Sequence, residues 1–141
     1  MIGLDQYFIS KDGFENIKHG DIITGYKIDM ELPFYRALPL SCFEQFILKV
    51  DDAVIDPGTM ELCLRDRHFR MDEIPWLEGE WWSVDIKPSL IVNHEGGLKA
   101  GEHKVELYAK FRWELLKPES MDPNRGVLHE NSFDSKMLVI A

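Results

Sequence analysis

No apolar run in this chain approaches the ~20 residues that a membrane-spanning helix needs. Cysteine is nearly absent: Cys42 and Cys63 are the only two. A small secreted domain would more often carry a disulfide framework. Both cysteines sit in apolar stretches, so free, buried thiols are expected. Positive charge is short, with 16 Lys and Arg against 25 Asp and Glu and a net charge of −9. That argues against nucleic acid, which requires a basic footprint, and against anionic membrane surfaces. The segment Met1–Gln6 lacks the basic start and apolar centre of a secretory signal, and a cytoplasmic location is expected. The sequence also has no GxSxG elbow, no GxGxxG, no P-loop and no HxH or HxxxH pair, so the common nucleophile, dinucleotide and metal signatures are missing.

What the chain does have is alternation. With 141 residues and 45% hydrophobic content, it is long enough for one packed domain over 1–141. Tyr26, Ile28, Met30 and Leu32 alternate with Lys27, Asp29 and Glu31 up to Pro33, which cannot donate to a ladder. Phe46, Leu48 and Val50 alternate before an Asp51-Asp52 turn. Met60, Leu62 and Leu64, a turn at Asp66-Arg67, then Phe69 and Met71 read as a hairpin over 60–71. Trp82, Val84 and Ile86 alternate before Pro88. The longest pattern sets Val105, Leu107, Ala109, Phe111 and Trp113 against Lys104, Glu106, Tyr108, Lys110 and Arg112, the signature of an antiparallel strand with one wet face. Met137–Ile140 reads as a terminal strand, residues 117–135 as a long irregular loop, and Met71–Pro75 as a short helical turn. Residues 14–19 show no strong pattern. Seven to nine short strands without a long helix predict an all-β, antiparallel β-sandwich.

Candidate chemistry is sparse. His94 and His103 flank a Gly-rich turn beside Glu95 and Glu102; brought together, two imidazoles and a carboxylate could hold a divalent metal. The plainer alternative is a histidine at a turn-to-strand junction that hydrogen-bonds backbone. Trp81 and Trp82 must face opposite ways if they lie in one strand. One is then core, and the other is either a partner or ligand platform or is covered by the chain's own loops. The segment Pro33–Ser41 is apolar, aromatic and proline-stiffened where a solvent loop would be polar. Its Tyr35, Arg36 and Leu38 are candidates for a partner or substrate-pocket surface, pre-ordered and cheap to dock, with Arg36 able to grip a carboxylate bidentately. The alternative is a loop folded over its own core with Arg36 in an internal ion pair.

Leu32-Pro33-Phe34-Tyr35-Arg36-Ala37-Leu38-Pro39-Leu40-Ser41, then Val50-Asp51-Asp52, then Gly96 through Leu107 resemble the β subunit of bacterial C-glycoside deglycosidases. The similarity runs from Tyr7 to about Trp113, and its specific part is Tyr-Arg-x-Leu-Pro-Leu-Ser. Ala37 stands where the family pattern has glycine, and the resemblance does not place 117–136. The resemblance implies an accessory subunit, inactive alone, beside a larger catalytic α subunit that looks like a sugar-isomerase-type TIM barrel. It also implies a divalent metal, commonly manganese, held by that α subunit and not by this chain. The implied substrate is a 3-oxo-C-glucoside of a flavonoid or related phenol, cleaved at its C–C bond by elimination, a lyase reaction. No catalytic residue of this chain follows from it; Tyr35, Arg36, Leu38, Trp81 and Trp82 are the positions it offers to the partner or the aglycone. The rivals are a stand-alone carbohydrate- or ligand-binding sandwich with Trp81 or Trp82 as platform, and a small metal-dependent enzyme using His94 and His103.

Overall fold

A computed structural model describes residues 4–114 and 127–141. In chain order the strands are β1 (Glu15–His19), β2 (Ile22–Asp29), β3 (Leu38–Pro39), β4 (Phe43–Val50), β5 (Ala53–Val54), β6 (Met60–Leu64), β7 (Arg67–Arg70), β8 (Trp81–Trp82), β9 (Ser89–Asn93), β10 (Gly101–Glu114) and β11 (Val127–Ile140). All their pairings are antiparallel, in one five-stranded sheet ordered β1-β2-β9-β6-β7, one four-stranded sheet ordered β11-β10-β4-β5 and a small β3-β8 ribbon. The helical content among the described residues is confined to 3-10 turns, Met71–Trp76 being the longest. The chain is all-β, as its periodicity predicts.

The core lies between the two larger sheets. Val105, Leu107, Ala109 and Phe111 of β10 and Leu48 of β4 face Ile28, Leu62, Leu64 and Leu90 of the other sheet, and all are buried. Each such aliphatic side chain is worth roughly 1.5–3 kcal/mol in removal from water, so this double row is the main cohesive contact. Two tight hairpin turns set its register. Asp51 and Asp52 (φ 51° and 68°) join β4 to β5, and Arg65 and Asp66 (φ 50° and 65°) join β6 to β7. Paired positive φ marks a type I′ turn, whose twist suits a hairpin. The second turn sits one residue earlier than the sequence suggests. Gly25 of β2 is required by close approach, since a Cβ there would stand 2.0 Å from the Val92 carbonyl oxygen of β9.

Five readings of the sequence need correction. Residues 127–135 are not loop; they form most of β11, which pairs with β10 along its length. The inward positions of this strand include Ser132 and Asp134, both buried, and polar inward residues erase the apolar alternation by which a strand is recognised. They are satisfied by the N-terminal segment: Ser132 Oγ donates to Asp5 (2.9 Å), and Asp134 accepts from the Ile9 amide (2.9 Å) and from Lys136 Nζ. The remainder of the expected loop, up to 126, lies outside the described residues. Next, the 82–86 alternation is not a strand. Trp82 Nε1 donates to the Ile86 carbonyl (3.1 Å), 83–86 turns back, and Val84 is exposed. Third, residues 15–19, patternless in sequence, are edge strand β1. There the Asn16 side-chain amide bonds both the N–H and the C=O of Leu98 (2.9 Å each) and stands in for a strand neighbour. The strands number eleven among the described residues, two of them fourteen residues long, so the sandwich is built from more and longer strands than the expected seven to nine short ones. Neither cysteine is in a disulfide, as expected, but both are half-buried rather than buried.

Val105 is wholly buried opposite Val50. Val105→Asp places an unpaired carboxylate between the sheets at a cost above about 4 kcal/mol. Thermal denaturation is expected to show no cooperative transition, and a wild-type melting curve would mean that β10 packs otherwise.

Candidate functional site

The two ends of β10 carry different chemistry. At its start, His103 is buried with Nδ1 2.6 Å from Asp51 Oδ2 and Nε2 2.7 Å from the Lys99 carbonyl. Both partners only accept, so both ring nitrogens must donate, which requires the imidazolium. The hydrogen bond to Asp51 above all, then that to Lys99, holds the His103 pKa above its ordinary value, and the same bond with the Lys104 amide holds Asp51 below its own. The Lys104 amide donates to Asp51 Oδ1 (2.9 Å), and Phe14 lies edge-on to the imidazole. Tyr26, pushed up to about 12 by burial and by the Asp51 charge, completes the cluster. His103 thus pins three segments: the β4–β5 turn, the 96–100 loop and the start of β10. Its nitrogens are committed, His94 is exposed with its ring 6.4 Å from that of Tyr26, and no group of three or more metal-ligating side chains is assembled among the described residues. His103 thus stands at a turn-to-strand junction with one ring nitrogen on a backbone carbonyl.

The opposite end is aromatic. The chain between Pro33 and Pro39 bends over the end of β10. Phe34 is buried between Phe111 (5.6 Å) and Trp113 (5.4 Å) and carries Tyr35 at 4.4 Å. Arg36 lies over the rings of Phe34 (5.9 Å) and Trp113 (5.6 Å), a pair of cation–π contacts that fixes the guanidinium. The β3-β8 ribbon pairs Leu38 with Trp82 and Pro39 with Trp81. The two tryptophans do face opposite ways: Trp82 is buried against Phe43 and Phe8, whereas Trp81 is 48% exposed. The Trp81 carbonyl accepts from Arg65 (2.8 Å), and Arg67 pairs with the neighbouring Glu80.

Of the candidate residues, Leu38 and Trp82 therefore build the scaffold, while Tyr35, 64% exposed, Arg36 and Trp81 reach the surface at the same end. Trp76, 82% exposed at the close of the last 3-10 turn, clusters in sequence with Trp81 and Trp82 around Gly79 but is not among the candidates above. Its position just after Pro75, at the end of a short helical turn, was the available signal. The role of Trp113 as a platform for Arg36 depends on a loop contact 77 residues away in sequence and left no local trace.

Comparison with known proteins bears on what this end serves. The sequence model of the C-glycoside deglycosidase beta subunit family matches residues 4–114. The chain is 28% identical over 128 residues to the C-glycoside deglycosidase beta subunit of Arthrobacter globiformis, covering 89% of this chain and 94% of that one. It is 26% identical over 126 residues to the protein of the same name from Eubacterium cellulosolvens, 86% of each chain. It is 30% identical over 107 residues to the 3'-dehydrocarminate deglycosidase beta subunit of a Microbacterium species, 70% of this chain and 76% of that one. The chain belongs to the C-glycoside deglycosidase beta subunit family.

The His103 cluster gives a signed pH dependence. A histidine with a raised folded pKa stabilises fully below its ordinary value of about 6.5 and stops doing so as pH rises through the raised value. Asp51, lowered, stabilises above about 3.9 and stops as pH falls through its lowered value. With Asp51 half exposed and screened, the pair is worth about 1 kcal/mol, or about 4 °C in melting temperature. Between pH 6 and 9 the wild type is expected to lose about that much more than His103→Gln, measured by calorimetry. Parallel curves would remove the clamp.

Proposed function

We propose that this chain is the accessory β subunit of a heteromeric C-glycoside deglycosidase, with the chemistry carried by a larger, TIM-barrel-like α subunit. The observation that carries the reading is the family match over 4–114, supported by the aromatic end. Tyr35 and Trp81 are exposed there, and Arg36 is held over two rings. Rigid aromatic and arginine side chains are the residue types that dominate interface energetics. The rival reading, a free-standing carbohydrate-binding sandwich on Trp81, rests on the same exposed indole but leaves the family match unused.

The proposed substrate is a 3-oxo-C-glucoside of a phenolic aglycone. One relative is named for a 3'-dehydro substrate, and a ketone at that position gives the cleavage its route. The carbonyl acidifies the proton on C2, a base removes it, the electron pair forms the C1–C2 double bond, and the bond from C1 to the aryl carbon breaks. The aryl carbon takes up a proton, so the products are an unsaturated keto-sugar and the free aglycone, with no water consumed. The family resemblance implies a divalent metal, commonly manganese, which would stabilise the enediolate. The described residues of this chain offer it no ligand set, and we assign it to the α subunit. In this division of labour the β subunit contributes docking and a wall of the aglycone pocket, and the site is cytoplasmic.

Arg36→Ala removes a half-buried cation and its two ring contacts from the proposed interface without touching the packing between the sheets. It is expected to weaken binding of the cognate α subunit by tenfold or more, about 1.4 kcal/mol, in calorimetric titration, while the isolated chain stays folded and its melting temperature falls by only a few degrees with the lost cation–π contacts. Wild-type affinity in this variant would move the interface away from the Pro33–Ser41 loop.

A further inference from the structure

One edge of the four-stranded sheet is left open at the aromatic end. β4 pairs with β10 on one side along most of its length. On the other side β5 meets only Lys49 and Val50, and the Ile55 amide extends the cover to the Leu48 carbonyl (2.9 Å). Among the described residues no strand pairs with 43–47 on that side. Leu48 turns its carbonyl toward the β5 side, so by the two-residue period the backbone N–H and C=O of Phe46 face the same way.

That edge is not bare to bulk solvent. It floors a groove of about 330 Å³ whose walls include Phe46, Ile47, Pro57, Met71, Ile74 and Pro75, and a second hollow of about 160 Å³ continues it past Met71. Folded proteins cover, shorten or charge an exposed strand edge because it is a template for another chain. Here the edge is apolar and walled on its far side by a 3-10 turn that ends in exposed Trp76. The surrounding charge is mostly negative. Glu44, Asp72 and Glu73 stand near the groove against one guanidinium, Arg70, which pairs with both Asp72 (3.0 Å) and Glu73 (3.6 Å), while His129 lies 3.4 Å from Glu44. The chain as a whole carries −9.

We infer that this groove receives an extended segment of the partner α subunit, which adds a strand along residues 43–47 of β4. Backbone pairing with Phe46 supplies register, an apolar side chain of the segment enters between Ile47 and Met71, and Lys or Arg residues flanking it meet the acidic rim. Strand addition of this kind draws affinity from main-chain hydrogen bonds and specificity from the pockets for alternate side chains. Phe43, which lines the groove, packs against Phe111 and Trp82, so the groove and the aromatic end share a scaffold. The inference rests on the accessory-subunit reading and adds to it a place and a chemistry of contact.

The test compares amide hydrogen exchange of the full chain, free and in complex with its cognate α subunit, and titrates two variants. The Phe46 amide is expected to slow at least tenfold in the complex. Met71→Lys, whose long stem can lie along the groove while its ammonium reaches water, is expected to raise the dissociation constant at least tenfold, and Met71→Glu by less. If Met71→Lys does not fold, the Phe46 exchange in the wild type decides alone. A complex of full affinity with Phe46 exchange unchanged would overturn the groove while leaving the subunit reading intact. Concentration-dependent protection of Phe46 without the partner would overturn the choice of occupant in favour of a second copy of this chain. If the wild-type chain binds no α subunit at all, the subunit reading falls and the inference with it.

Discussion

The rest of the structure depends on the inward row of β10. Val105, Leu107, Ala109 and Phe111 are fully buried, and the strand that carries them is paired on both sides, with β4 and with β11. Sheet faces must bury their apolar side against another layer, and this row is where the four-stranded sheet meets the five-stranded one. Each end of the strand then does separate work. At its start, His103 is held as a cation between two acceptors and locks a turn, a loop and the strand together. At its end, Phe111 and Trp113 support the Pro33–Pro39 segment and, through it, the exposed Tyr35 and the Arg36 guanidinium. The sandwich is the rigid part of the molecule, and the exposed aromatic and cationic side chains sit on the segments at one end, where rigid scaffolds usually carry recognition.

How much of this is legible in the sequence depends on whether a residue's environment is local. The β10 row, the Met60–Leu64 alternation and the Asp51-Asp52 turn are local patterns and stand where the periodicity puts them. β11 is not local in that sense: Ser132 and Asp134 face inward because Asp5 and the Ile9 amide, some 125 residues away in sequence, satisfy them. The Trp82–Ile86 stretch fails for the opposite reason. The bond from the Trp82 indole to the Ile86 carbonyl is a local competitor to strand pairing that alternation alone does not reveal.

The same distinction applies to the site. That Trp81 and Trp82 face opposite ways follows from strand geometry, but which one is buried depends on Phe8 and Phe43. The placement of the Arg36 guanidinium depends on Trp113, and the hydrogen bonds of both His103 ring nitrogens depend on Asp51 and Lys99. The exposed Tyr35 and Trp81 and the ring-held Arg36 are therefore products of the tertiary fold and not of any local motif. Family membership over 4–114 identifies the chain as a C-glycoside deglycosidase beta subunit by descent.

The central claim is that this chain is required for, but does not itself perform, cleavage of a C-glycoside. The most direct measurement titrates it into a fixed amount of its cognate α subunit, supplied with manganese and a 3-oxo-C-glucoside, while free aglycone is followed. The account predicts no release by either chain alone and a rate that rises with added β subunit to a stoichiometric plateau. Aglycone release by this chain alone, or an α subunit equally fast without it, would contradict the account.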